Sequence, residues 1–175
     1  MVAATERELV PVEETRTLVC GIGPVDAAIA TTRALAEERP NAVLHVGIAG
    51  ARGLAPLTVV LGSEALYCDA AGPLVAATAR PDADLLSRLR AAFPDASVRP
   101  IGTSARVGGS RDVDVEAMEG FAVLRACELA GVPAVEVRVV SNEIGEPDRA
   151  LWRFNEAFAA LGEMLPRLIA VASSA

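Results

Sequence analysis

VEAMEGFAVLRACELAGVPAVEVRVVSN, from Val115 to Asn142, reads as one helix, one tight turn and one buried strand. Between Ala117 and Ala130 there is no proline and a single glycine, and Met118, Phe121, Ala122, Ala126 and Leu129 fall at helical spacing. Gly131-Val132-Pro133 ends the helix, with glycine at the cap and proline just beyond it. Ala134 to Val140 is rich in valine and predicts a strand. A helix and the strand that follows it run in opposite directions. Roughly twelve helical residues cover ~18 Å and seven strand residues cover ~23 Å. Glu119, at the helix start, is therefore expected at the same end of the layer as Ser141 and Asn142, where open α/β sheets bind ligands. A carboxylate accepts from hydroxyls and an amide both donates and accepts, which is what a sugar carrying a base requires. On this stretch alone a helix-start glutamate and a turn asparagine explain the same letters.

Working outward, strands alternate with helices. Val2 to Ala4 reads as a first strand, running into Thr5-Glu6-Arg7-Glu8, where Thr5 and Glu8 have the spacing of a capping box. Thr17 to Cys20 is a second strand, followed by the turn Gly21-Ile22-Gly23-Pro24 and a helix from Val25 to Glu38. The dinucleotide fingerprint fails there because Asp26 stands at the third glycine position. Ala42 to Val46 is a third strand, ending in Gly47-Ile48-Ala49-Gly50-Ala51, small residues that let a ligand or another strand approach the backbone. Leu57 to Leu61 and Glu64 to Cys68 read as two further strands, Asp69 to Pro81 as a loop, Asp84 to Phe93 as a helix and Val98 to Val107 as a strand. A closing helix runs from Ala150 to Val171, kinked or restarted at Pro166. The pattern predicts an α/β fold in one domain over residues 1–175: three layers, with a central mixed, mostly parallel sheet flanked by helices. Glu8, Gly21 to Gly23, Gly47 to Gly50 and Ser141-Asn142 each follow a separate strand, and Glu119 joins them.

Composition narrows the function. The chain is 52% hydrophobic but 3% aromatic, so alanine, valine and leucine fill the interior. A net charge of −7 with no Lys/Arg run argues against nucleic acid. No apolar run reaches membrane-spanning length, and the acidic start is no signal peptide, so a cytoplasmic protein is expected. Cys20, Cys68 and Cys127 are widely spaced in apolar elements and read as reduced core thiols, not as a metal or disulfide framework. His45 is the only histidine and reads as a strand residue, which excludes a multi-histidine metal site; no metal or cofactor is expected.

The segments AATERE (from Ala3), GIGPVDAA (from Gly21), HVGIAGA (from His45), ALYCDA (from Ala65), VEAMEG and VRVVSN resemble, in that order, the nucleoside phosphorylase/nucleosidase superfamily. Within it the chain is most similar to futalosine hydrolases, through Gly47-Ile48-Ala49-Gly50, through Asn142 where adenosine-type nucleosidases carry aspartate, and through the Pro147-Asp148-Arg149…Trp152 segment. The resemblance implies roles. Glu8 holds and deprotonates the attacking water. Arg138 lies beside water and carboxylate. Met118 and Glu119 lie under the ribose, with Glu119 taking its hydroxyls. Ser141 and Asn142 face the purine. Arg106 and Val107 contact the base, and Gly47, Ile48 and Ala49 bring backbone to the ligand. The same resemblance implies a homodimer or higher homo-oligomer. It also exposes departures: Arg106 replaces an aromatic, Ile48 replaces a serine that helps hold the water, and the chain is shortened, mostly between Glu8 and Thr17.

The chemistry implied is cleavage of a purine–ribose bond through an oxocarbenium-like state. An amide at Asn142 suits a 6-oxopurine, because a carboxylate would face the oxo group with a second acceptor. Glu8 favours water over phosphate, which a carboxylate repels. The expected reaction is release of hypoxanthine from futalosine, a step in menaquinone biosynthesis. The alternatives are a methylthioadenosine/adenosylhomocysteine nucleosidase, a purine nucleoside phosphorylase, or a shortened non-catalytic nucleoside-binding relative. Arg138 shares strand parity with Glu136, so a purely structural Arg138–Glu136 pair is the competing role for it. If the far end of the substrate carries a carboxylate, Arg16 and Arg52 are the candidates to meet it.

Overall fold

Two strands form the spine. β3 (Val43–Ala51) and β8 (Ala134–Glu143) pair in parallel along almost their whole length. Both are buried on both faces, which is why they read as near-continuous apolar runs. The computed structural model describes residues 1–9, 15–70, 72–110 and 112–174. Around the spine lie β1 (Val2–Ala3), β2 (Leu18–Val19), β4 (Val59–Tyr67), β5 (Thr78–Ala79), β6 (Ser97–Thr103) and β7 (Val115–Ala117). The eight-stranded sheet runs β2-β1-β3-β7-β6-β4-β5, and β8 bridges β3 and β4. Pairing is parallel except for β3–β7, β4–β5 and β4–β8, so the sheet is mixed and mostly parallel.

Helices cover both faces. α2 (Ala83–Ala92) and α4 (Phe154–Ser173) pack on the side where Leu44, Val46, Val135, Val137 and Val139 meet Leu85, Leu89, Leu161, Leu165 and Leu168. α1 (Pro24–Glu37) and α3 (Gly120–Ala130) pack on the other side, where Val43 and Ala134 meet Ala27, Val123, Leu124 and Cys127. Strand alternation sends His45, Gly47, Glu136 and Arg138 to this second face, because His45 pairs with Glu136 and Gly47 with Arg138. Among the described residues no helix is long and apolar enough to cross a membrane.

Several boundaries differ from the sequence reading. β3 does not stop at Val46 but carries Gly47 to Ala51 inside it, and β8 continues through Ser141 and Asn142. Small residues in β3 let the larger side chains of β8 fill the space, so pairing persists with one register shift after Ala49. Residues 57–68 hold one strand, not two; Gly62-Ser63 marks a bulge within β4. The central helix starts at Gly120, and Val115–Ala117 pairs as a strand instead. β6 ends at Thr103, four residues short of the expected Val107. The expected loop from Asp69 contains β5. The closing helix begins after a short 3₁₀ turn, Arg149–Leu151, and continues through Pro166 without restarting. The connection between Glu8 and Thr17, where the resemblance led us to expect a shortening, includes residues 10–14, which lie outside the described ones, as do Ala71, Arg111 and Ala175.

Candidate active site

The site is a cavity of about 440 Å³ at the carboxyl ends of β1, β3 and β8, a volume suited to a small ligand. Glu8, Ile48, Ala49, Val107, Met118, Glu119, Arg138, Ser141 and Asn142 line it, all expected from the sequence.

Glu8 sits in a 3₁₀ turn (Glu6–Glu8) directly after β1 and is buried. Its Oε2 accepts from the Thr5 backbone N–H at 2.9 Å and the Thr5 hydroxyl at 3.0 Å. Its Oε1 accepts from the Ile48 N–H at 3.2 Å. The capping contact and the site contact thus belong to one carboxylate. Backbone at position 48, not its side chain, holds the acid in place.

Gly47 gives room. A side-chain carbon added there would stand on Arg138 Nη1 and within 2.6 Å of Glu8 Oε1. The acid and the guanidinium therefore share the space that the missing side chain leaves. Gly50 does the same for Asn142, whose Nδ2 lies 3.0 Å from where a Cβ would be.

Arg138 both pairs with Glu136 and lines the cavity. Its Nε donates to Glu136 Oε1 at 2.8 Å, and its Nη2 lies 3.6 Å from Glu119 Oε2 while lining the cavity. Nη2 also donates to His45 Nε2 at 2.5 Å, while His45 Nδ1 donates to the Val2 carbonyl at 3.1 Å. Burial, then the Arg138 charge, hold His45 well below its ordinary 6.5, so the ring is a neutral acceptor. Burial opposes the charge on Arg138, but Glu136, Glu119 and Glu8 outweigh it and raise its pKa. Burial pushes the Glu136 carboxyl up against the pull of Arg138, and one of its oxygens has no partner among the described residues.

Glu119 stands at the N-cap position of α3, and its side chain, instead of capping that helix, accepts from the Gly23 N–H at 3.0 Å. The glycine turn before α1 thus spends that donor on a side chain of the site, with Gly23 at φ 96°, a conformation that favours glycine. Burial pushes the Glu119 carboxyl up, opposed by Arg138 and this N–H.

At the other end, the Ser141 hydroxyl lies 2.8 Å from Asn142 Oδ1, and Asn142 Nδ2 donates to the Glu143 carbonyl at 3.0 Å. That network orients the amide and leaves its second N–H for the cavity. Val107 reaches the cavity from the loop after β6, but Arg106 is exposed and does not line it. Glu116 pins that loop by accepting from the Gly108 N–H at 2.5 Å and the Ser110 N–H at 2.9 Å.

Arg16 and Arg52 are elsewhere. Arg16 pairs with Glu38 in a separate cleft lined by Met1 and Thr31. Arg52 is tied to the Ser110 and Val113 carbonyls. The sequence reading did not bring Glu116, His45, Phe154 or Phe158 to the site; it named Glu136 only as a structural partner of Arg138, a pair the structure contains, and Arg149 and Trp152 only as part of a segment that carries the resemblance.

Residues 13–108 match the family model described as the phosphorylase superfamily. The futalosine hydrolase of Streptomyces coelicolor is 35% identical over 90% of this chain and 79% of its own. The 5′-methylthioadenosine/S-adenosylhomocysteine nucleosidase of Actinobacillus succinogenes is 32% identical over 71% of this chain and 66% of its own. The native structure of the futalosine hydrolase of Helicobacter pylori superposes with a TM-score of 0.84 at 14% identity, covering 97% of this chain and 95% of that one. With these similarities added to the geometry of the cavity, the chain belongs to the phosphorylase superfamily, and the relatives it matches there are nucleosidases.

Proposed function

We propose that this protein is an N-ribosyl hydrolase that releases hypoxanthine from futalosine. The observation that carries the reading is Glu8: a buried carboxylate fixed by three donors beside Arg138, in a cavity that ends in the Asn142 amide. The identity to the futalosine hydrolase of Streptomyces coelicolor supports the choice of substrate.

In this reading Glu8 takes a proton from water as the water oxygen bonds to C1′ of the ribose. The electron pair of the C1′–N9 bond leaves with the base. Asn142 donates its free N–H to N7 and so stabilises the anion that departs. A 6-oxopurine leaves as a stabilised anion, so an amide suffices where adenine would call for an acid. Glu119 accepts from the ribose hydroxyls, with Met118 against the sugar. Glu8, Glu119 and Glu136 set three carboxyl groups against the single guanidinium of Arg138, while His45 stays neutral. That field suits the positive charge that develops on the sugar ring.

Incubation with futalosine, inosine and methylthioadenosine, with and without phosphate, tests the reading. Hypoxanthine release from futalosine without phosphate is expected. Adenine release alone would favour the methylthioadenosine-type activity of the other relative. A requirement for phosphate would make the chain a phosphorylase.

A further inference from the structure

The guanidinium of Arg138 is a rigid plane of N–H donors, and the fold spends them unevenly. Nε donates to Glu136 Oε1 at 2.8 Å, and Nη2 donates to His45 Nε2 at 2.5 Å. Both partners are buried, and neither lines the cavity, whereas Arg138 does. Among the described residues Nη1 has no bonded acceptor. It enters the space left by the side chain that Gly47 lacks, where Glu8 Oε1 also lies. The group is therefore gripped along its Nε–Nη2 edge and open on the side of Glu8.

His45 can accept from Arg138 only because its other nitrogen is committed. Nδ1–H donates to the Val2 carbonyl at 3.1 Å, which leaves the lone pair on Nε2. An imidazole with its proton on Nε2 would set one N–H against another. The same contacts join the two strands that carry the site. Val2 pairs with His45, and Gly47, two residues further along β3, pairs with Arg138. β1, the strand of Val2, runs directly into the turn that holds Glu8. One imidazole on β3 thus links the strand of the acid to the strand of the guanidinium. Val43, Leu44 and Val46 fill the buried neighbourhood on β3, and packing alone calls for no imidazole among them.

We propose that His45 is a positioning residue for the cleavage reaction: tied to the Val2 carbonyl, it holds the Arg138 guanidinium so that Nη1 faces Glu8 and the attacking water. The role rests on the reading of Glu8 as the acid that activates water. His45 acts through Arg138 and touches no part of the substrate.

Two measurements test it. His45 is the only histidine, so its ring nitrogens are assigned without ambiguity in protein labelled with ¹⁵N-histidine. At about pH 7.5 the tautomer protonated on Nδ1 is expected, and a ring protonated on Nε2 would overturn the proposal, because it cannot accept from Arg138. Steady-state kinetics on the nucleoside that the chain cleaves supply the second. His45→Leu is expected to lower kcat about tenfold or more with KM within about twofold, since the groups that bind substrate stay in place. His45→Gln, which can again offer Nη2 an acceptor, is expected to regain part of the loss. A folded His45→Leu protein with kcat within about twofold of wild type, or with the loss confined to KM, would overturn the role. So would a His45→Gln protein as slow as His45→Leu. Where His45→Leu does not fold, the tautomer decides. A wild-type chain that cleaves no nucleoside would refute the hydrolase reading; a wild-type chain that cleaves one, with kcat unmoved in His45→Leu, would refute only the part given to His45.

Discussion

Replacing Glu8 by glutamine separates the acid's chemistry from its structural part. The side chain keeps its shape but gains an N–H₂ where an acceptor stood. If the amide nitrogen faces Thr5, it meets a backbone N–H and a hydroxyl; if it faces Ile48, it meets one backbone N–H at the longest of the three contacts. The second orientation is cheaper and gives up one charge-assisted bond, about 1.5–3 kcal/mol. For a chain of this size that is a fall in Tm on the order of 3–12 °C, leaving the protein folded at room temperature. Loss of the general base that we propose Glu8 to be acts on a different scale. A loss of about 10²–10⁴ in kcat is expected, or roughly 3–5 kcal/mol on the barrier, with KM for the nucleoside little changed. The assay is continuous hypoxanthine detection by coupled xanthine oxidase, with circular dichroism on the same samples. A folded Glu8→Gln protein with kcat within twofold of wild type would show that water is activated elsewhere.

Asn142→Asp puts an oxygen against the Glu143 carbonyl, 3.0 Å from the present nitrogen, so the new acid keeps that contact only when protonated. About a tenfold or greater drop on the proposed 6-oxopurine substrate is expected, and equal rates for the two proteins would refute the amide's part in handling the base. Gly120→Ala places a methyl on the buried Glu136 carboxylate under the first turn of α3. Urea unfolding should show a loss of about 1–3 kcal/mol; an unchanged midpoint would mean that the carboxylate can move aside freely. His45 carries a pH signature. Its folded pKa is depressed, so below 6.5 the unfolded chain takes a proton that the folded chain refuses, and stability falls as pH drops. The stability difference between wild type and His45→Gln should be flat above pH 7 and shift against wild type by about 1.4 kcal/mol per pH unit below 6.5. A difference that stays flat to pH 5.5 would mean that the ring is protonated in the fold. Burial of Glu119 and Glu136 works with the opposite sign, because raised carboxyl pKa values lose stability as pH rises through them.

Local signals determined much of this protein by themselves. Valine runs, helical spacing and the Gly-Val-Pro stop set the alternation of strands and helices and put Glu119, Ser141 and Asn142 at one end of a layer. Glu8 was legible as a carboxylate just past a strand. Other features depend on register and packing across the chain, which no local pattern carries. Only pairing decides that Gly47 faces Arg138, so that an absent side chain makes room for a guanidinium and an acid. Val115–Ala117 lies among helix formers yet becomes a strand, because β3 and β6 offer it hydrogen-bond partners on both sides. His45 reads as an ordinary strand residue until Arg138 and the Val2 carbonyl fix its two nitrogens from elements far away in sequence. Arg149, Trp152, Phe154 and Phe158 join the cavity because Arg153 is anchored on β8 and Arg7 reaches α4, contacts between residues that sequence distance hides. The chain's letters fix which chemical groups exist and the direction each element runs. Which groups touch is settled by strand register and buried space, and the site is made of such contacts.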